Sequence, residues 1–116
     1  MTDLGAPAET AVRDCLALTP DESIAVVTDE KRRAIGAALY DAARAVTDDV
    51  TLAEYPVGDQ HGAEPPAPVA AAMADSDVFV APTTKSLSHT RARSNACDAG
   101  ARGATLPGIT EEVFTT

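Results

Sequence analysis

The stretch DVFVAPTTKSLSHTRAR, residues 77–93, joins three local patterns that together decide the fold. Its first residues form a short apolar run of the kind that makes a buried strand. Pro82 ends that run, and a loop rich in hydroxyl side chains follows. Ser88 is a natural N-cap for a helix over the next residues. A strand, a loop and a helix in this order are the repeating unit of parallel α/β sheets.

The rest of the chain repeats this alternation. Predicted helices cover residues 9–18, 29–46, 68–75 and 88–99, and predicted strands cover residues 23–28, 50–55, 77–81 and 103–106. The strand at 23–28 lacks polar alternation, which is typical of a strand covered on both faces. Thr28 or Asp29 is the expected N-cap of the helix after it. The fold class predicted is α/β, with three layers: a mostly parallel sheet of about four strands with helices on both faces.

The predicted helices are amphipathic to different degrees. Residues 35–46 carry one continuous apolar stripe at helical spacing. The first helix has an apolar face that includes Val12, Cys15 and Leu16, and the third buries Val69, Ala72 and Met73. The expected buried face of the last helix consists of small residues, namely Ala92, Ala96, Cys97 and Ala99. We expect both cysteines to be reduced, since neither belongs to a C-x-x-C pair.

Composition sets further limits. The 116 residues suit one domain, and 18 acidic against 9 basic residues give a net charge of -9. An acidic, lysine-poor composition indicates adaptation to very high salt, where screening weakens the repulsion between the acidic side chains. The same charge argues against binding to nucleic acid or to anionic membranes. The chain has no long apolar run and no basic leader, so the predicted location is cytoplasmic.

Several familiar sites are absent or weak. The turn after the first strand, TDEK, is not a glycine-rich dinucleotide loop, and the loop after Pro82 lacks the glycines of a phosphate-binding loop. His61 lies near Asp59 and Glu64 on the proline-rich segment 56–68, but solvated polar residues explain this group better than a metal site. Ser86 or Ser88 with His89 is a conceivable nucleophile pair without a third orienting group.

The clearest candidate surface is a positive cluster, uncharacteristic of an acidic chain. Lys85, His89, Arg91 and Arg93 surround the predicted start of the last helix, and Arg102 follows that helix. A helix N-terminus with these cations suits a carboxylate or another anion. Alternatively, the cations pair with acidic groups of this chain or of a partner domain. The candidate substrate- or interface-binding residues are Thr83, Thr84, Lys85, Ser86, His89 and Arg91. No catalytic or metal-ligating residue is predicted.

Four ordered blocks also carry a family resemblance. VTDE at 27–30, HGAEPPAPVA at 61–70, APTTKSLSHT at 81–90 and AGARGATLPGITE at 99–111 resemble the N-terminal domain of the aminopeptidase T (leucyl aminopeptidase T) metallopeptidase family. The resemblance implies a cytoplasmic, dimeric, two-domain hydrolase that removes N-terminal residues from peptides with divalent metals such as zinc or cobalt. Its metal ligands lie in a second domain. A ring-cleaving iron dioxygenase branch is similar in fold and also keeps its metal ligands in the second half.

These observations lead to two hypotheses. In the first, residues 1–116 are the N-terminal domain of such an aminopeptidase, without cofactor, inactive alone and lacking the C-terminal catalytic domain as its partner. The predicted start of a helix at Thr110, six residues before the end of the sequence, supports this hypothesis because it suggests a piece of a longer protein. In the second, the chain is a standalone α/β module that binds a small anion or another protein.

Overall fold

Four parallel strands form the centre of the molecule in the computed structural model, which describes residues 4–57, 60, 63–85, 87, 90–106, 108–110 and 114. Their order across the sheet is β2-β1-β3-β4, where the strands are β1 (Ile24–Asp29), β2 (Val50–Tyr55), β3 (Val78–Ala81) and β4 (Arg102–Thr105). Ile24 is in register with Val50 on one side and with Val78 on the other. The predicted parallel α/β fold is confirmed.

The helices follow the predicted alternation with shifted boundaries. They are α1 (Gly5–Thr10), which continues into a π-helical turn (Ala11–Cys15), α2 (Arg33–Arg44) after a 3-10 turn (Glu30–Arg32), α3 (Ala67–Asp75) and α4 (Arg91–Asp98). The first helical segment therefore begins and ends earlier than the predicted 9–18. Pro7 is tolerated because the first turn of a helix needs no bonded amide. Ala17, with a φ of 51°, directs the chain away from the helical path.

Two apolar cores lie on opposite faces of the sheet, because neighbouring residues of a strand point to opposite sides. Ile24 and Val26 of β1 belong to the core under α1 and α2, whereas Ala25 and Val27 belong to the core under α3 and α4. All residues of β1 and β3 are buried. The prediction of strands covered on both faces is thus confirmed for the two central strands.

The last helix differs from its prediction in its start and in its buried face. Thr90 caps α4 by accepting a hydrogen bond from Arg93 N at 3.2 Å, so the cap lies two residues after Ser88, which is outside the described residues. Ala92 and Ala96 are buried, but Cys97 and Ala99 are exposed. Cys97 lies one residue round the helix from Ala96, and α4 has ended before Ala99. Their predicted burial was wrong.

Both cysteines are free, as predicted, but Cys15 is exposed and so does not contribute to the predicted apolar face of the first helix. The third helix buries Val69 and Met73, whereas Ala72 is half-buried. Within the described ranges, no helix is both long enough and apolar enough to cross a membrane.

Gly103 brings β3 and β4 together. It is in register with Phe79, the largest fully buried side chain. A Cβ atom at position 103 would collide with the Phe79 carbonyl oxygen and would lie 2.7 Å from its ring. The closest obstacle is backbone, which cannot rotate away as a flexible side chain does.

We expect Gly103→Ala to lower the free energy of unfolding by about 3 kcal/mol, since the strands would have to separate locally. Urea unfolding followed by circular dichroism measures this change. Ala104→Ser, at the neighbouring half-buried position, is the control and should cost less than about 1 kcal/mol. Equal losses in the two variants would contradict the close approach at Gly103.

An ion pair stabilises the amino-terminal end of the sheet. Arg102, the first residue of β4, binds both carboxylate oxygens of Glu22, with Nη2 at 2.7 Å from Oε1. Its guanidinium also donates to the carbonyl oxygens of Leu16 and Ala17, each at 3.0 Å. Arg102 therefore stabilises the turn after the first helical segment and does not belong to the predicted positive cluster.

The hydrogen bond from Arg102 is the main reason why the pKa of Glu22 falls from its ordinary 4.5 to about 2. A carboxylate whose pKa is lowered by folding stabilises the native state above its unfolded pKa. That contribution disappears as the pH falls through the folded pKa. We therefore expect Glu22→Gln to lower the Tm at neutral pH, and the gap to wild type to shrink between pH 4.5 and 2. Glu9→Gln, which changes an exposed carboxylate on α1, is the control; a gap for Glu22→Gln that is constant with pH would refute the assignment.

Candidate functional site

The carboxyl ends of the strands define the edge where a ligand crevice is expected. From β1 the chain first moves outward to β2 and then crosses to β3 on the other side of β1. In parallel α/β sheets, binding sites lie beyond the strand ends where the direction of winding changes. Here that point lies between the ends of β1 and β3, at Asp29 and at the loop that begins with Pro82.

Asp29 occupies this point, and its carboxylate is used entirely by the chain itself. The side chain is 1% exposed. Oδ1 accepts hydrogen bonds from the amides of Lys31 at 3.0 Å and Arg32 at 3.2 Å, so Asp29 is the N-cap of the helical segment, one of the two residues predicted for that role. The amide of Thr84 donates to Oδ2 at 2.6 Å, and the Thr84 hydroxyl donates to Oδ1 at 3.0 Å. One carboxylate thus joins β1, the start of α2 and the loop after β3.

The hydroxyl groups around Asp29 also point inward. Thr28 Oγ1 donates to the Pro82 carbonyl at 3.1 Å, and Thr83 Oγ1 donates to the Lys85 carbonyl at 2.6 Å. The Gly108 amide donates to the Thr83 carbonyl at 2.7 Å, which links this loop to the segment after β4. Thr83 is 1% exposed, so its hydroxyl holds the loop in shape. The described first part of this loop, residues 82–85, is therefore held by several hydrogen bonds.

A second carboxylate occupies the N-terminus of α4. Glu64 accepts hydrogen bonds from the amides of Arg91 at 2.7 Å and Ala92 at 3.0 Å. These are the groups that a bound anion would use at a helix start. The sequence pattern favoured a solvated Glu64 over a metal ligand and did not predict this contact. Its signals were a carboxylate on a proline-rich segment and a helix whose first amides needed acceptors.

The candidate residues of the positive cluster have different surroundings. Thr84 and Lys85 are half-buried and Arg91 is exposed, whereas Ser86 and His89 lie outside the described residues. Neither Lys85 nor Arg91 forms an ion pair with another described residue. Arg93 Nε is buried and has no hydrogen-bond partner in the described part of the chain. A binding role for Thr83, Thr84, Lys85, Ser86, His89 and Arg91 stays a prediction.

An apolar groove of about 380 Å³ continues this edge beyond β2. It is lined by Tyr55, Pro56, Val57, Ala63, Glu64, Pro65 and Pro66. Burial, and secondarily the negative charge of Asp29, raises the pKa of Tyr55. The phenol therefore stays neutral and can donate a hydrogen bond at ordinary pH.

The metal site considered on the proline-rich segment lies partly outside the described residues. Asp59 and His61 lie outside the described residues, while the Glu64 carboxylate binds the amides at the start of α4. Among residues that the structure describes, no group of His, Cys, Asp and Glu side chains is arranged to hold a metal ion. The conceivable pair of Ser86 or Ser88 with His89 also lies outside them.

Comparison with known proteins supports the fold and corrects the family. No protein-family model and no curated protein sequence matches the chain. Among solved structures, the chain is similar to 2,5-dihydroxypyridine dioxygenase from Pseudomonas putida KT2440, with a TM-score of 0.74 and 17% identity. The match covers 94% of this chain and 35% of that protein. At this identity the likeness shows a shared fold.

The predicted membership in the aminopeptidase T family was wrong. The similar solved structure is a dioxygenase and not a peptidase, and no comparison supports the aminopeptidase assignment. The expected peptidase and hydrolase activities lose their basis with it. The described parts of the quoted blocks lie around strand ends and helix starts. They therefore carry information about the fold, which does not by itself determine activity.

We expect Asp29→Asn to lower the free energy of unfolding by about 2–3 kcal/mol, because an amide nitrogen replaces one acceptor oxygen and faces backbone donors. Thr84→Val removes one hydroxyl donor and should cost about 1 kcal/mol. Urea unfolding measures both, and hydrogen exchange at the Thr84 amide should accelerate more in Asp29→Asn than in Thr84→Val. An Asn variant as stable as wild type would show that the four contacts contribute little.

Proposed function

We propose that this chain is a protein-interaction module that docks onto a second protein domain through the carboxyl ends of its strands. The observation that carries the proposal is the occupation of the α4 N-terminus by Glu64, which takes the amides of Arg91 and Ala92. A small anion would have to displace this carboxylate to reach them. A folded partner would instead contact side chains that the preformed loops already present.

The surface proposed for docking combines a groove with two cations. The carboxyl-end surface consists of Tyr55, Pro56, Val57, Pro65, Pro66, Lys85 and Arg91. Protein interfaces are enriched in aromatic residues and arginine around an apolar centre. Lys85 and Arg91 lack ion pairs with the described residues of an otherwise acidic chain, so an acidic group of a partner would complement them.

The hydrogen bonds that connect the described residues of this surface support docking. The hydrogen bonds to Asp29 tie the loop after β3 to the start of α2, and Glu64 ties the proline-rich segment to α4. Loops that are ordered before binding lose less conformational entropy when a partner arrives. A preformed surface therefore binds a folded partner more tightly than a mobile one of the same composition.

The partner proposed here is a domain that supplies chemistry absent from the described residues. The chain spans about a third of the dioxygenase to which its fold is similar, so that fold also occurs within a longer protein. A catalytic domain, which the sequence analysis expected as a partner, is of this kind. The expectations of a divalent metal and of a peptide substrate depended on the aminopeptidase resemblance, so they are not part of this proposal. The cytoplasmic location stays a prediction.

The test compares charge reversal at the carboxyl-end surface with charge reversal elsewhere. Three tagged proteins are expressed in cells of the organism that encodes the chain and cross-linked there: wild type, Lys85→Glu/Arg91→Glu and Arg13→Glu/Arg44→Glu. The proteins captured with each are identified by mass spectrometry. Both double variants change the net charge equally, and Arg13 and Arg44 are exposed outside the carboxyl-end surface. We expect a partner protein to be captured by wild type and by the Arg13→Glu/Arg44→Glu variant. The Lys85→Glu/Arg91→Glu variant should not capture it.

A purified captured protein should then bind this chain with a Kd that the Lys85/Arg91 reversal raises by about tenfold or more. NMR titration with inorganic phosphate and with acetate provides the competing arm. Saturable shifts at Lys85 and Arg91 with either anion, without a protein that distinguishes the variants, would favour the small-anion module. Capture that is unaffected by both reversals would overturn docking through this surface.

A further inference from the structure

The outer edge of β2 is an open hydrogen-bonding surface. β2 pairs with β1 alone in the part of the chain that the structure describes. Ile24 N donates to Asp49 O, so the backbone of residue 49 faces β1. Because backbone direction alternates along a strand, Thr51 and Ala53 also face β1. The amides and carbonyls of Val50, Leu52 and Glu54 consequently point away from the sheet.

This edge lacks the features that usually prevent strands from pairing. Val50–Tyr55 contains no proline, glycine or lysine, and its six residues are in continuous register with β1. Natural edge strands are commonly interrupted by proline or bulges, or carry unpaired charges. Of the residues that the structure describes, Leu52 is the large apolar side chain left exposed, at 43%. An open edge with an exposed leucine at its middle favours pairing with another strand.

The charge of the edge is balanced within the chain. Glu54 is the charged residue of β2, and both of its oxygens bind Arg33 of α2, with Nε–Oε1 at 2.8 Å and Nη2–Oε2 at 2.7 Å. The edge is thus close to neutral, although the chain carries a net charge of -9. Neutrality at one place on an acidic protein permits a second copy to approach there.

We propose that two copies of the chain associate through antiparallel pairing of their β2 edges, which makes one continuous sheet across a two-fold axis. Two-fold symmetry allows Leu52 to lie opposite Leu52 of the second copy, and Val50 to lie opposite Glu54. All three positions have outward-facing backbone groups, so this register forms about six new backbone hydrogen bonds. The two exposed leucines cover each other, as in isologous interfaces.

Electrostatics selects this register over its neighbours. With Leu52 on the axis, the two Glu54 residues are separated by four positions, roughly 13 Å along the strands. A shift of two residues in one direction places Asp48 opposite Glu54 of the second copy, which is unfavourable because like charges then face each other. A shift in the other direction brings the Glu54 residues to roughly 7 Å. The register centred on Leu52 also ends at Pro56, which has no amide to donate.

Salt should strengthen this association. Each copy brings a charge of -9, so long-range repulsion opposes the encounter at low ionic strength. The new contacts are backbone hydrogen bonds and an apolar pair, which salt does not weaken as it weakens surface ion pairs. We therefore expect a larger fraction of dimer in about 2 M KCl, where screening is strong, than in about 0.15 M KCl, where it is weaker.

Sedimentation velocity of the full chain over a range of concentrations measures the dimer fraction. Leu52→Pro removes an outward-facing amide and no hydrogen bond to β1, and Leu52→Lys adds a charge at the axis. Each should raise the dimer dissociation constant by about tenfold or more. Ala37→Lys adds the same charge at an exposed position on α2 and should leave that constant unchanged. Circular dichroism and thermal melts establish that all variants are folded.

A cross-linking experiment tests the register independently. In a Cys15→Ser/Cys97→Ser background, Leu52→Cys should form an intermolecular disulfide on mild oxidation, because the two-fold axis places residue 52 opposite itself. Ala37→Cys in the same background should not. A wild-type chain that is monomeric in both salts would overturn the proposal. So would dimerisation that persists in folded Leu52→Pro and Leu52→Lys, or an absent disulfide at position 52.

Discussion

The buried carboxylate of Asp29 is the contact on which the candidate site depends. A carboxylate this inaccessible must be fully hydrogen-bonded, because burial of an unsatisfied charge is costly. It takes donors from the turn before α2 and from Thr84, which lies 55 positions away in the sequence. The loop after β3 can therefore move away from β1 only if several contacts to a buried charge break together. The point where a ligand crevice is expected is instead a fixed junction.

Much of this arrangement could be predicted because it depends on local patterns. The unbroken apolar residues of β1 and β3 predicted strands covered on both faces, and the position of Asp29 before α2 predicted a cap. The pairing of Asp29 with Thr84 could not be predicted. The two cap contacts of Asp29 are local in sequence, whereas its two hydrogen bonds from Thr84 depend on which loops meet in space. Glu64 illustrates the same limit: its sequence neighbours favoured a solvated side chain over a metal ligand, whereas its hydrogen-bond partners are amides of α4.

Two other errors have a common physical cause. Small residues are compatible with burial and with exposure, so Cys97 and Ala99 were assigned to a buried face, although Cys97 lies on the exposed side of α4 and the helix ends before Ala99. The family resemblance failed similarly. Residues such as Pro82, Thr84 and Gly103 serve strand ends and close strand packing in this chain. They carry information about the fold, and activity depends on groups that the fold does not dictate.

The two surfaces proposed for binding arise from one sheet but follow different rules. At the carboxyl ends, the backbone is already bonded to the chain's own side chains, so specificity has to come from the groove and from cations such as Lys85. Along β2, the outward-facing backbone groups are open, so recognition requires another strand, and side-chain charge selects the register. The carboxyl-end surface lies across the ends of the strands, and the β2 edge runs along one strand. A partner domain at the first therefore leaves Leu52 accessible, and a two-fold pair through β2 would present both carboxyl-end surfaces at the same time.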